Sequence, residues 1–171
     1  MSHAVHTLVV ETRGPGLVEI TPSVRRWLAG QGVGTGLLTL WCRHTSASLL
    51  VRENASPDVR ADLQDFFAGL APQVRGWYRH TDEGADDMPA HIRAALTQPG
   101  LCIPVVDGAP MLGTWQGVFV FEHRDRPHRR EVVLHVVGEP GSGPSVRGHG
   151  LCNNNVLRLS VAFPSRFGDQ D

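Results

Sequence analysis

The segment from Tyr78 to Arg93, which reads YRHTDEGADDMPAHIR, is the part of the chain richest in side chains that can do chemistry. It contains His80 and His91, and a third histidine, His44, lies in an earlier polar segment that reads RHTSASLLVREN. Imidazole is the commonest side-chain ligand for metals and the usual general base near neutral pH. The three histidines are therefore candidate ligands of a divalent metal such as Zn²⁺ or Mg²⁺.

Carboxylates near these histidines could complete a metal site or act as a base. Asp87 stands in the same segment as His80 and His91, and Glu53 lies at the end of the segment that contains His44. We predict that one of these two carboxylates is a general base or orients a histidine ligand. An alternative stays open, in which the histidines are hydrogen-bonded core residues and the acidic residues cap helices, because no pair has the tight spacing of an HExxH motif.

Several polar residues are candidates for binding a phosphorylated substrate. Thr45 and Ser46 follow a predicted strand, where hydroxyl and backbone N–H groups can bind a phosphate, and Arg93 supplies a guanidinium. Trp115 and Gln116, in the sequence GTWQG, could line a pocket. Small polar residues at the end of a strand also form simple turns, and a tryptophan beside glycines is often a packing residue.

His123 is a further candidate for a general base. It lies near the end of a predicted strand and shares one strand face with Phe119 and Phe121. It could equally be a partner of a metal ligand or a strand histidine that faces solvent. The sequence lacks the GxGxxG, Walker and GxSxG motifs, which argues against nucleotide binding by those routes and against a Ser-His-Asp hydrolase.

Alternation of polar and apolar residues predicts the strands that position these groups. The clearest runs are 37–44 and 118–124, which carry His44 and His123. Two shorter runs, 6–12 and 17–20, are separated by glycines and a proline and predict a β-hairpin.

Two helices are predicted from caps and helical spacing. Ser56 and Pro57 mark the start of the first, whose apolar residues form an inward stripe. Asp86 or Asp87 is predicted to cap the second. In that helix the i, i+3, i+4, i+7 spacing of the less polar residues places His91 on the predicted buried stripe.

Length and composition set the outer bounds. A chain of 171 residues suits one domain, predicted at 1–138, followed by a Gly/Pro-rich tail at 139–171 that we expect to be poorly ordered. The formal net charge of −1 gives no reason to expect a nucleic acid or a membrane as partner. Three cysteines at wide spacings indicate reduced thiols and a cytoplasmic protein.

Three blocks of sequence closely resemble the YjbQ-like family, often labelled secondary thiamine-phosphate synthase. The blocks are HTSASLLVREN with the following SPDVRADL, then YRHTDEGADDMPAHIR, then LGTWQGVFVFEHR, and they occur in family order. The resemblance covers about residues 4–138. It departs from the family pattern at Ala55-Ser56, where relatives usually have an acidic residue next to the proline.

The resemblance implies a fold and a function. The implied fold is α+β, a mixed β-sandwich with flanking helices in a single domain, assembled as a homotrimer. His44, His80 and His91 resemble metal or anion ligands, with Glu53, Asp87 and His123 close by.

The implied activity is thiamine-phosphate synthase, which joins hydroxymethylpyrimidine diphosphate to a thiazole phosphate and releases pyrophosphate. The alternative is a non-catalytic trimeric module that binds a small phosphorylated ligand or a metal.

Overall fold

Eight β-strands and three α-helices form within residues 1–74 and 76–141, the part of the chain that the computed structural model describes. The strands are β1 (Ser2–Glu11), β2 (Gly16–Glu19), β3 (Val33–Cys42), β4 (Ala47–Glu53), β5 (Gly100–Val106), β6 (Ala109–Pro110), β7 (Gln116–Glu122) and β8 (Arg129–Pro140). The helices are α1 (Thr21–Ala29), α2 (Pro57–Leu70) and α3 (Asp87–Leu96).

The strands form two sheets that share one hydrophobic core. A five-stranded sheet has the order β1-β8-β3-β5-β6 and a three-stranded sheet has the order β2-β7-β4, with antiparallel neighbours throughout the described residues. Leu38 and Leu134 from the larger sheet join Leu49 and Val120 from the smaller one in the core, and Leu28 of α1 packs with them. The predicted α+β class in a single domain is confirmed.

The predicted hairpin of the first two strands is wrong. β1 pairs with β8, with Val5 opposite His135, whereas β2 pairs with β7 in the other sheet, with Leu17 opposite Phe121. The glycines between them lie where the chain passes from one sheet to the other. Gly14 has a φ of 145°, a backbone conformation that residues other than glycine rarely adopt.

Helix α2 begins as predicted, but its apolar stripe is only partly covered. The Ser56 hydroxyl accepts a hydrogen bond from the Asp58 backbone N–H at 3.2 Å, so the predicted cap is present. The prediction that the whole stripe faces inward is wrong for this chain, because Phe66 is 63% exposed and Leu70 is 48% exposed. Phe67 does reach the smaller sheet, where its ring meets the edge of Phe121.

The outer face of the five-stranded sheet is also unusually apolar. It exposes Val5, Val9, Leu37, Trp41 and Val106, which the strand registers place on one side of the sheet. We call this set the outer sheet face. An antiparallel sheet normally presents polar residues where it meets water. The outer sheet face is thus compatible with the trimer that the family resemblance implies, and the trimer stays a prediction.

The end of the predicted domain lies within a strand. β8 continues to Pro140, so residues 139 and 140 of the predicted tail pair with β3. Gly141 is also described, and residues 142–171 of the tail lie outside the described residues. Among the helices described here, none has the length and hydrophobicity needed to cross a membrane.

Candidate functional site

The start of α3 meets the end of β7 through an arginine. Arg124 follows β7 by two residues, and its Nε donates to Asp86 Oδ2 at 2.8 Å while its Nη1 donates to Asp87 Oδ1. Its Nη2 also donates to the Glu83 carbonyl oxygen at 2.9 Å. Although burial favours the neutral form of Asp86, hydrogen bonds from Arg124 and the Asp125 backbone N–H lower its pKa below the usual value. Arg124 therefore fixes both aspartates at the start of α3.

Asp87 and two histidines form a compact cluster of potential metal ligands. Asp87 Oδ2 lies 2.8 Å from His80 Nε2 and 3.3 Å from His91 Nε2. All three ligand atoms lie within 4.8 Å of one another. The Asp87 side chain is 2% exposed, but those of His80 and His91 are 42% and 34% exposed. The cluster thus combines a buried carboxylate with two imidazoles that solvent can reach.

Local hydrogen bonds orient two of these ligands. His91 Nδ1 lies 3.2 Å from the Thr45 carbonyl oxygen, which can only accept, so Nδ1 carries a proton and Nε2 is the nitrogen that faces Asp87. Asp87 uses Oδ1 for Arg124 and therefore turns Oδ2 toward the histidines. Metal-binding histidines commonly donate their second nitrogen to a carbonyl or carboxylate in this way.

A buried ion pair between Glu122 and Arg130 fixes the backbone that carries Arg124. Glu122 is fully buried and accepts two hydrogen bonds from Arg130, at 2.5 Å and 2.7 Å, and one from the Thr12 hydroxyl at 2.7 Å. It also accepts the backbone N–H groups of His123 and Arg124, each at 3.0 Å. Burial opposes ionisation of Glu122, but these bonds outweigh it and lower the pKa of the carboxyl. The carboxylate thus fixes the backbone that carries Arg124.

His44, which was predicted to be a third metal ligand, lies outside the cluster of ligands. Its Nε2 accepts a hydrogen bond from the Glu131 backbone N–H at 2.7 Å. Burial and then the nearby Arg130 lower the pKa of His44 below its ordinary value. The imidazole is thus neutral at neutral pH, with one nitrogen committed to the backbone.

His123 and Arg93 lie in the interior. His123 Nε2 is 2.9 Å from the Ser48 hydroxyl, and burial together with the charge of Arg93 lowers its pKa to about 3. Arg93 Nη2 donates to the Ala71 carbonyl oxygen at 2.8 Å. His123 Nδ1 and Arg93 Nε are buried without a hydrogen-bond partner among the described residues. The structure therefore places the candidate base and the candidate phosphate ligand away from the exposed side of the cluster.

Glu53, Trp115 and Gln116 lie at the other end of the smaller sheet. Glu53 pairs with Gln116, whereas Ala47 pairs with Glu122, next to the cluster. Six residues of strand separate the two ends, which is about 20 Å. Trp115 is 64% exposed, and Gln116 Oε1 accepts the Gly113 backbone N–H at 2.8 Å. This chain alone does not bring these three residues to the histidine cluster.

Thr45 and Ser46 are close to the site, but their carbonyl oxygens make the observed contacts. The Thr45 carbonyl accepts from His91, and the Ser46 carbonyl lies 3.4 Å from Arg130 Nη2. Arg124, Glu122 and Arg130 were not among the residues predicted from the sequence. Their pairing joins the end of β7 to β8 and α3, and no sequence motif marks such a long-range contact.

An open cleft adjoins the cluster. Its volume is about 630 Å³, and its lining includes Trp41, Arg43, His44, Thr45 and His91. His91 belongs to both the cleft and the cluster of ligands. A molecule in the cleft would therefore lie beside a potential metal ligand.

Comparison with known proteins identifies similar chains with no stated activity. A family model described as "UPF0047 protein YjbQ-like" matches residues 6–139. A UPF0047 protein of Synechocystis sp. is 54% identical over 132 residues, which are 77% of this chain and 90% of that protein. UPF0047 protein YjbQ of Escherichia coli O157:H7 is 40% identical over 134 residues, which are 78% of this chain and 96% of that protein.

Solved structures of similar chains also belong to this family by their descriptions and state no activity. A Clostridium acetobutylicum structure, described as an uncharacterized conserved protein of the yjbq/upf0047 family, has a TM-score of 0.71 and 31% identity over 77% of this chain and 99% of its own. A Sulfolobus solfataricus structure, described as a YbjQ-like protein of unknown function, has a TM-score of 0.70 over 80% of this chain and 99% of its own. Its 21% identity shows likeness of fold.

These names correct the predicted thiamine-phosphate synthase activity. The relatives are called UPF0047 or YjbQ proteins, and the two solved structures are called uncharacterized and of unknown function. None of these names states a synthase, a transferase or a thiamine precursor. The prediction of synthase activity is therefore wrong as an inference from the resemblance, and a function has to be argued from the site.

Proposed function

We propose from the site itself that this chain, which belongs to the YjbQ-like UPF0047 family, binds a divalent metal ion through His80, Asp87 and His91. The observation that carries this proposal is the convergence of Asp87 Oδ2 with the Nε2 atoms of both histidines within 4.8 Å. A lone exposed acidic group would not suffice. Here the carboxylate is buried and its orientation is fixed by Arg124.

The spacing of the donor atoms suits Zn²⁺. Tetrahedral zinc with ligand distances near 2.0–2.1 Å separates its donors by about 3.3 Å. The two distances from Asp87 Oδ2, 2.8 Å to His80 and 3.3 Å to His91, are close to that separation. The shorter one is a hydrogen bond, in which a metal ion would take the place of the proton. Two imidazoles favour zinc or another transition metal over Mg²⁺, which prefers oxygen ligands.

The proposed site has room for a substrate. A divalent metal with three protein ligands keeps an open position, where it lowers the pKa of a bound water and polarises a phosphoryl oxygen. His80 and His91 are partly exposed, so solvent or a substrate could reach a metal ion bound by them. The adjoining cleft is lined by the cation Arg43. We therefore propose metal-assisted hydrolysis of a small phosphorylated substrate as the activity to test.

Two further parts of the proposal concern assembly and location. We propose a homotrimer, and the exposure of Phe66 on α2 and of Val5 on the outer sheet face supports association with further copies. A cytoplasmic location is proposed from the spacing of the cysteines in the sequence. Light scattering of the purified protein measures the first directly.

Zinc titration of demetallated protein tests the metal proposal. We expect about one zinc per chain in the wild type, and loss of that binding in Asp87→Asn, which keeps the side-chain volume but removes the charge. Glu53→Gln is the matched control, since Glu53 lies at the far end of the smaller sheet. Elemental analysis for all first-row metals identifies the ion bound after expression. Full zinc binding by Asp87→Asn and by His80→Ala would refute the assignment of ligands.

A further inference from the structure

The hydrogen bond to Glu131 defines the tautomer of His44. A backbone N–H can only donate, so His44 Nε2 must present its lone pair to the Glu131 N–H at 2.7 Å. In the neutral imidazole the proton is then on Nδ1. The lowered pKa of His44, due first to burial and then to Arg130, is consistent with the neutral form. Nδ1 is thus a fixed donor, and it has no partner among the described residues.

The cleft next to His44 has the chemistry of an anion-binding site. Arg43 and His44 lie along it, and no acidic side chain of the described residues does. Arg43 uses Nη1 for Glu131 at 2.7 Å and remains 57% exposed, so its other N–H groups face outward. Trp41, Ala94 and Pro99 supply apolar surface in the same cleft. The lining therefore favours a small molecule with an oxyanion and an apolar part.

We propose that His44 recognises the molecule bound in this cleft by donating its Nδ1–H to an anionic oxygen, and that it is a substrate-binding residue and not a metal ligand. The inference rests on the proposed function in one respect, because His91 also lines the cleft and would be a ligand of the proposed metal ion. The donor itself is set by the Glu131 backbone and is present with or without metal.

Two substitutions of His44 separate its two nitrogens. In His44→Gln the side-chain oxygen replaces Nε2 and can still accept the Glu131 N–H, but no donor stands at the position of Nδ1. In His44→Asn the amide nitrogen replaces Nδ1 and can still donate into the cleft, while the Glu131 N–H loses its acceptor. The first variant should lose ligand affinity, and the second should lose thermal stability.

Phenyl phosphate is a suitable probe, because it joins a dianion to a flat apolar ring. Calorimetric titration with the zinc-loaded full chain is expected to show binding at least about ten-fold weaker in His44→Gln than in the wild type, as for a lost hydrogen bond to a charged group. The zinc content should be the same in both. His44→Asn should bind phenyl phosphate more tightly than His44→Gln.

Several outcomes would overturn the inference. Equal phenyl phosphate affinity in the wild type and His44→Gln would refute it, as would the absence of phenyl phosphate binding by the wild type. Loss of zinc in His44→Gln would make His44 a metal ligand instead. If the wild type binds no zinc, the proposed metal function fails, but the same titration on metal-free protein still compares the two His44 variants. The two failures are therefore distinguishable.

Discussion

Replacement of Arg124 tests how the protein positions Asp87. Arg124 is 13% exposed and binds both Asp86 and Asp87, and the second carboxylate is almost fully buried. Arg124→Gln keeps a polar side chain, but the side chain is shorter and lacks the charge and most of the donors. Among the described residues, Asp87 would then hold a buried charge that only a metal or a protonated histidine could neutralise.

The expected cost follows from these contacts. Removal of one partner of a buried ion pair costs about 3–5 kcal/mol. Asp86 is 16% exposed and keeps the Asp125 backbone N–H at 3.0 Å, so the lower end of that range applies. A loss of about 3 kcal/mol lowers the Tm of a chain of this size by about 6–12 °C. Loss of a residue that orients a metal ligand weakens metal binding by about 10- to 100-fold.

Urea unfolding and zinc competition with a chromophoric chelator measure the two effects separately. Arg124→Lys is the control: it restores the charge but cannot bridge two carboxylates as a guanidinium does. We expect it to recover part of the stability and less of the zinc affinity. Excess zinc should stabilise Arg124→Gln, because a ligand that binds only the native state adds to its free energy of unfolding. Unchanged stability and zinc affinity in Arg124→Gln would refute the positioning role.

Three further predictions address other parts of the chain. Lowering the pH from 7 to 5 should reduce the free energy of unfolding by about 2 kcal/mol through His123. The unfolded imidazole, with a pKa near 6.5, takes up a proton in this range, whereas the native one, with a pKa of about 3, does not. This destabilisation is absent above pH 6.5 and grows as the pH falls toward 3. Urea unfolding of His123→Gln should show a smaller drop between these pH values, and an equal drop would contradict the burial of a neutral imidazole. Val5→Glu on the outer sheet face should shift the mass from light scattering toward the monomer, whereas an unchanged mass would exclude this face as the contact. Gln116→Ala should leave the zinc affinity unchanged, since Gln116 lies about 20 Å along the sheet from the cluster. A large loss of zinc affinity, measured by chelator competition, would show that another copy brings this end of the sheet to the metal.

The parts of the site that lie close together in the sequence could be predicted. His80, Asp87 and His91 share one segment and converge in the structure. The helix that carries two of them was also predicted, but its buried face was not. Asp87, Ala90 and Arg93 are buried there, in place of the predicted stripe through His91. Ion pairs and hydrogen bonds bury the charged residues, and a hydrophobic pattern cannot reveal such pairs.

Contacts between distant segments could not be read from the sequence. His44 was predicted to be a metal ligand together with His80 and His91, but its partner is a backbone N–H 87 residues away. The cap at Asp86 also differs, because its carboxylate binds Arg124 and makes no cap hydrogen bond within the helix. The family resemblance gave the fold correctly, since sequence blocks of this length specify a fold more closely than an activity.

Anomalous diffraction at the zinc edge, from crystals grown with zinc, would locate the proposed metal ion. We expect one strong peak per chain within about 2.0–2.2 Å of His80 Nε2, His91 Nε2 and an oxygen of Asp87. His44 Nε2 should remain on the Glu131 backbone N–H, away from that peak. A map with no peak at the cluster, or a peak bound by His44 in place of Asp87, would refute the proposed metal site.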